Sequence, residues 1–327
     1  MHKKLKRIII YVIDVLLTAV MTAMLPFAII VARYGYRLRL SRLILERAGV
    51  GIIPHHYYSP LVFPSDLRLD QWNKRQISGL DLNESGQLSL LEQFHYKDEL
   101  LAIPLEDQGS RQFYYHNGSY ESGDAEYFYN IIRHFKPHRI VEVGSGYSTL
   151  LAMRAIENNR KDDPSYSCDH VCIEPYERPW LEQTSATVIR EKVEMCPDEI
   201  FDRLRDNDIL FIDSSHVIRP QGDVLHEYLH ILGRLSYGVL IHVHDVFTPY
   251  DYPAELVIGT RNMWNEQYLL EALLCFNQQF EVIGAVNWLS HVHRDLLVEA
   301  CPVLMREPLR EPGSFWLRRS LVSRSQA

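Results

Sequence analysis

Cysteine is scarce in this sequence and forms no pattern. The five residues, Cys168, Cys172, Cys196, Cys275 and Cys301, are odd in number and show no CxxC spacing. That excludes a disulfide framework and a zinc knuckle, and it suits a reducing cytoplasm. Positive charge is also in deficit: 34 Lys and Arg stand against 42 Asp and Glu, a formal net charge of -8. With no basic stripe after residue 50, nucleic acid is not expected as a partner, because neutralising phosphates needs an excess of cations on one surface. Low-complexity tracts and internal repeats are lacking too, so disorder is not the default. What remains is the composition of a folded protein, 46% hydrophobic and 23% charged over 327 residues. That length suits one large α/β domain with an N-terminal appendage.

The appendage is an apolar run, IIIYVIDVLLTAVMTAMLPFAIIVA at residues 8–32, whose one charge is Asp14. A bilayer needs about 20 such residues in a helix. Lys3, Lys4, Lys6 and Arg7 precede the run and Arg33, Arg37, Arg39 and Arg42 follow it, so the positive-inside rule sets no orientation. Residues 1–40 therefore read as a membrane-anchor helix, either spanning or re-entrant, with Pro26 as a possible kink. Two rivals exist. A cleaved signal peptide fits less well because the run exceeds a usual h-region, and a buried core helix would tolerate Asp14, Thr18 and Thr22.

Residues 41–120 form a lead-in or cap rich in Tyr, His and Pro, with a short helix expected after Asn83-Glu84-Ser85-Gly86. From residue 121 to 320 the pattern changes. A helix over DAEYFYNIIRHF stops at Lys136-Pro137, and then strand-like runs at 139–143, 170–173, 186–189, 209–213 and 237–243 alternate with helical stretches at 149–158, 197–204 and 224–232. This predicts a Rossmann-like, doubly wound and mostly parallel sheet. A helix, NEQYLLEALLCF, and two further strands, FEVIGAVN and GSFWLRR, are expected to close it as an antiparallel edge pair. A polar tail, residues 321–327, is expected to be flexible.

Ligands of such sheets bind beyond the carboxyl ends of the strands. Four exits carry chemistry: Glu142-Val143-Gly144-Ser145-Gly146-Tyr147-Ser148, a strand turning through glycines into a helix; Glu174, which could accept bonds from both hydroxyls of a ribose; Asp213-Ser214-Ser215-His216; and His242-Val243-His244-Asp245. Glycine turns also serve sterics alone, and Glu174 in isolation reads equally as a helix cap. His242 and His244 share a strand face, so one of them suits a core role, and His244 is the better functional choice. The pairs His55-His56 and His291-x-His293 look metal-like but lack further ligands.

The joint pattern resembles class I S-adenosylmethionine-dependent methyltransferases, in the bacterial branch with Ile-Asp-x-x-His and His-Asp strand ends. The resemblance covers about residues 124–318, including HVIRPQGDVLHEYLHILGRLSYGVLIHVHDVFTPYDYP and WNEQYLLEALL. It implies that Gly144, Ser145, Gly146, Tyr147 and Ser148 line the S-adenosylmethionine site, with Glu142 near the ammonium group and Glu174 on the ribose. Ser148 stands where the family has a third glycine, and at a helix start it can cap. Asp213 would lie beside both cofactor and acceptor, with His216, His244 and Asp245 completing a catalytic wall and a histidine as general base. Alternatively, Asp213 and Asp245 would hold Mg²⁺.

The expected acceptor is a hydroxyl or amine of a small molecule, saccharide or lipid-linked intermediate at the inner or plasma membrane, with the catalytic domain cytoplasmic. Its specificity should lie in the lead-in and in residues 250–253. A NAD-type sugar-nucleotide enzyme fits less well, since GxGxxG and a Tyr-x-x-x-Lys pair are missing. A catalytically idle membrane-tethered scaffold is the other alternative.

Overall fold

The computed structural model describes residues 2–68, 75–109 and 111–320. The tail expected at residues 321–327 lies outside the described residues, as do the side chains of Lys3 and Lys4. The chain divides into two compact units, Met1–Leu67 and Arg68–Ala327, so the lead-in of residues 41–120 is shared between them.

In the first unit, α1 (His2–Tyr34) runs unbroken through Pro26. Its segment Leu5–Tyr34 is long and apolar enough to cross a membrane, and none of it is buried against protein. A core helix would have those side chains covered. The amphipathic α2 (Arg39–Arg47) follows, with Leu40, Leu43 and Ile44 at helical spacing among Arg39, Arg42 and Arg47. The His55-His56 pair gathers no metal set among the described residues: His55 Nε2 bonds the Asp66 carboxylate at 2.9 Å and His56 stacks on Tyr58.

The second unit is the α/β sheet. Its elements are α3 (Glu84–Leu91), α4 (Lys97–Leu101), α5 (Asp124–Phe135), β1 (Arg139–Val143), α6 (Tyr147–Asp162), β2 (Asp169–Ile173), β3 (Thr187–Ile189), α7 (Glu199–Asp202), β4 (Ile209–Ile212), α8 (Asp223–His226), β5 (Leu240–Val243), α9 (Glu266–Leu274), β6 (Phe280–Ala285), α10 (Val286–Val292), α11 (Arg294–Ala300) and β7 (Phe315–Arg319). The strand order is β3-β2-β1-β4-β5-β7-β6. β1 to β5 are parallel, and β7 runs antiparallel to both β5 and β6. The final pair is thus not wholly at the edge, because β7 is inserted between β5 and β6. Strands with both faces covered read as continuous apolar runs, and the fully buried Ile209-Leu210-Phe211-Ile212 is the clearest case.

The helix expected over 224–232 is interrupted. It runs as α8 for one turn and then widens into a π turn at Glu227–Ile231, which buries the Glu227 carboxyl against Ser214 Oγ at 3.0 Å. Residues 84–120 supply Leu90, Leu91, Phe94, Leu100, Phe113 and Tyr115 to the same core as the sheet. α5 is buried along most of its length and ties distant segments together: Asp124 Oδ1 accepts the Gly313 and Ser314 amides at 2.8 and 2.7 Å, and Glu126 accepts those of Val303 and Leu304 at 2.6 and 2.9 Å. The chain lays down β1, β2 and β3 in one direction and returns to β4 on the other side of β1. That reversal opens the crevice in which ligands of doubly wound sheets bind.

Candidate functional site

At the crevice, β1 ends in Gly144, whose φ of +80° is a conformation that favours glycine. Sterics make the same demand, since a Cβ there would lie 1.9 Å from the Asp213 carbonyl oxygen. Gly146 differs. Its missing Cβ would meet nothing closer than Arg178 Nε at 3.7 Å, so packing does not require glycine at this position. The space above Gly146 is instead part of a cavity of about 290 Å³ lined by Tyr120, Gly144, Ser145, Gly146, Tyr147, Ser148, Glu174 and Asp213. A second cavity of about 390 Å³ shares Gly144, Glu174, Asp213 and Ser214 and extends towards Lys192 and Asp223. Ser145 Oγ is buried with no partner among the described residues, a polar group left available to a ligand.

Glu174 reaches the cavity from the end of β2. Its Oε1 accepts the Tyr176 and Glu177 amides, both at 2.9 Å, and Oε2 accepts that of Ser145 at 3.4 Å. The carboxylate is fixed in place and keeps lone pairs for hydroxyl donors. Glu142 does not line either cavity. It is fully buried, accepts Ser148 Oγ at 2.6 Å and Thr149 Oγ1 at 3.2 Å, and pairs closely with His170 Nε2. Glu142 therefore holds the glycine turn from below and lines neither cavity. For the same reason Ser148 does not cap α6, because its hydroxyl is spent on Glu142.

The catalytic residues expected from β4 and β5 do come together. His216 Nε2 lies 3.2 Å from Asp213 Oδ1 and 3.6 Å from Asp245 Oδ2, and His244 Nε2 lies 3.8 Å from Asp245 Oδ1. His216 and Asp245 both hold positive φ, +59° and +55°, conformations that non-glycine residues adopt at a cost and that cluster at functional sites. His242 is the core histidine: it is fully buried, stacks on Phe211 at 4.0 Å and bonds Ser314 Oγ at 3.0 Å. Burial and its neighbour His244 lower its pKa, which keeps it neutral. Tyr120, from the lead-in, lies against His244 with ring centroids 5.2 Å apart. His291 and His293 pair with Glu311 and Glu84, both at 2.8 Å, and gather no ligand set among the described residues.

Sequence reasoning missed Glu266. This carboxylate bonds His216 Nδ1 at 2.9 Å from α9. It falls in step with the buried Leu270 and Leu274, and an acid on an apolar helical stripe was the signal available. Its charge alters the expected chemistry. Burial opposes the imidazolium, but Asp213, Glu266 and Asp245 outweigh it and raise the pKa of His216 well above the ordinary value. His244 is raised as well, against its burial, by Asp245 and Asp213. The carboxylates around His216 thus favour its protonated form. Asp213 itself is held down by His244 and His216 despite burial, whereas burial raises Asp245.

Ligand atoms of Asp213, His216 and Asp245 lie within 4.8 Å of one another, a set able to hold a divalent cation. Glu266 fixes the ring so that Nε2 is the free donor, the usual second contact of a metal-bound histidine. One imidazole with two carboxylates suits manganese, iron or zinc better than the all-oxygen preference of magnesium.

Residues 141–246 match the family model described as a methyltransferase domain. Over 167 residues the chain is 29% identical to an uncharacterised protein of Archaeoglobus fulgidus, covering 47% of this chain and 74% of that protein. A solved structure, the O-methyltransferase TomG from Streptomyces achromogenes involved in tomaymycin synthesis, in complex with SAM, is similar over 78% of this chain and 100% of that chain, at 14% identity and a TM-score of 0.37.

Proposed function

We propose that this chain is a class I, S-adenosylmethionine-dependent methyltransferase that methylates a hydroxyl of a small-molecule, saccharide or lipid-linked acceptor, a reading supported by the match of residues 141–246 to a methyltransferase domain model. The observation that carries this reading is Asp213, which lines both cavities beside the glycine turn and lies 3.2 Å from His216 Nε2. The cofactor's ribose is assigned to Glu174 and its methionine part to the turn around Ser145 and Gly146. The acceptor oxygen attacks the methyl carbon, a C–O bond forms as the C–S bond breaks, and S-adenosylhomocysteine leaves with the sulfur electron pair. The acceptor proton passes to the Asp213, His216 and Asp245 cluster. Within it Asp245 is the stronger carboxylate base, because burial raises its affinity for a proton.

Asp213, His216 and Asp245 would also hold a divalent cation, with a transition metal favoured over Mg²⁺. Bound there, the ion would acidify the acceptor hydroxyl, and it would displace the proton from His216 Nε2. The N-terminal helix, Leu5–Tyr34, supports a membrane location, with the catalytic unit on the cytoplasmic side where the cofactor is made.

The test is calorimetric titration of S-adenosylmethionine, and separately of NAD⁺, into the full chain in detergent. The expected result is micromolar binding of S-adenosylmethionine alone, lost in Glu174→Ala. Binding of NAD⁺ alone, or of neither by folded protein, overturns the assignment. Extraction with a chelator followed by re-addition of Mn²⁺ or Mg²⁺ decides the metal: full activity after chelation removes it from the mechanism.

A further inference from the structure

On the opposite side of the Glu142 hydrogen-bond network from the glycine turn lies a separate cavity of about 500 Å³, along α6. Arg111, Arg154 and Arg160 line it, with Met153 as its half-buried apolar side chain and His170 among its residues. Three arginines, of which Arg111 and Arg160 are exposed, place positive charge around one cavity, and no described carboxylate lies within ion-pair distance of any of them. Arg111 bonds the neutral Gln183 amide and Arg154 the Ala102 carbonyl at 3.4 Å. The acid in the wall, Glu157, is engaged at 3.1 Å by Lys161. Two buried nitrogens of this lining, Arg154 Nε and His170 Nδ1, have no partner among the described residues. Buried donors left unpaired are costly, and a cluster of them in a cavity wall is the mark of a group that a ligand completes.

We propose that this cavity binds a small molecule carrying a phosphate group and an apolar body, and that its occupancy is transmitted to the glycine turn through His170 and Glu142. Arginine suits phosphate because its planar fork donates two parallel bonds, and the half-buried Met153 offers apolar surface for the rest of the molecule. The path of transmission is short. His170 Nε2 pairs with one oxygen of Glu142, and the other accepts Ser148 Oγ at 2.6 Å and Thr149 Oγ1 at 3.2 Å in the first turn of α6. An anion beside His170 competes with Glu142 for the imidazolium and loosens its hold on Ser148. This second half of the proposal rests on reading the glycine turn as the S-adenosylmethionine site; the first half does not.

The test uses the full chain in a nonionic maltoside detergent, with phenyl phosphate as probe and phenol as its uncharged control. Calorimetry should detect phenyl phosphate and no phenol. Arg160→Gln and Arg111→Gln, both at exposed positions, should weaken the probe at least tenfold, and Arg160→Lys should restore part of the loss. Binding of phenol equal to that of phenyl phosphate, or no effect of either glutamine variant, overturns the site. Saturating phenyl phosphate should then shift the S-adenosylmethionine Kd at least threefold in the wild type and leave it unchanged in Arg160→Gln. An unshifted Kd overturns the coupling. If S-adenosylmethionine fails to bind at all while phenyl phosphate still does, the methyltransferase reading fails and the phosphate site stands.

Discussion

Nδ1 of His216 lies 2.9 Å from Oε2 of Glu266, and Glu266 is 1% exposed. A buried carboxylate at that distance fixes the ring plane and the tautomer, so the other nitrogen, Nε2, always faces Asp213 and Asp245. Glu266 never faces either cavity, which makes it a positioning residue.

Glu266→Ala should therefore lower kcat by roughly 10- to 100-fold, the usual effect of losing such a partner, while the S-adenosylmethionine Kd stays within about twofold, less than the tenfold that 1.4 kcal/mol represents. Glu266→Gln keeps an acceptor for Nδ1 and should recover part of the rate. Steady-state kinetics with parallel calorimetry separates the two parameters. A matching loss in cofactor affinity would mean that Glu266 supports the fold of the crevice and not the orientation of His216.

The two glycines of the turn should respond differently to the same substitution. At Gly144 an added Cβ would lie 1.9 Å from backbone and meet a φ of +80°, so Gly144→Ala should cost more than about 2 kcal/mol of stability. At Gly146 the nearest atom is 3.7 Å away. Gly146→Ala should leave stability within about 0.5 kcal/mol of wild type, as for substitutions with room to spare, yet weaken S-adenosylmethionine at least tenfold by filling the space above the turn. Denaturant midpoints and calorimetry report the two effects. Unchanged affinity in folded Gly146→Ala would remove that face of the turn from the cofactor site.

The repeating pattern of the sheet was legible because strands covered on both faces must be apolar: β1 is read at residues 139–143 and found at Arg139–Val143. The insertion of β7 between β5 and β6 was not, since strand order depends on long-range pairing that no local pattern encodes. Asp213, His216, His244 and Asp245 were legible as a group because they follow β4 and β5 at the same sheet edge. The raised pKa of His216 was not, since it depends in part on Glu266, which arrives from α9 some 50 positions away. The buried network of Glu142 was not legible for a related reason: its partner His170 is on the neighbouring strand, where register and not sequence spacing brings them together.

Asp124 links stability to the site. Its Oδ1 receives the amides of Gly313 and Ser314, and Gly313 packs so closely that a Cβ there would lie 3.1 Å from Asp245 Cα. Asp124→Ala leaves both buried N–H groups unpaired, at about 1–3 kcal/mol each. The variant should lose about 2–5 kcal/mol of stability in denaturant titration, and below its unfolding midpoint it should also lose activity as the Gly313 segment shifts against Asp245. Wild-type stability would mean that other donors or water replace the carboxylate.

The His170 and Glu142 pair predicts how stability follows pH. Burial disfavours the imidazolium, but the Glu142 carboxylate beside it prevails and raises the His170 pKa to about 10. In the unfolded chain the same group titrates near about 6.5. A pKa raised by folding contributes stability that is complete below the unfolded value and is lost as pH rises through the folded one. The wild type should accordingly lose melting temperature between about pH 6.5 and pH 10. His170→Gln keeps a donor for Glu142 but cannot titrate, so its melting temperature should be lower than wild type near neutrality and fall less over the same range. Tyrosines and lysines also titrate at the alkaline end, and the difference between the two proteins cancels their common contribution. Parallel curves for wild type and His170→Gln would show that the pair carries no charge-dependent stability, and that the glycine turn is held from below by neutral hydrogen bonds alone.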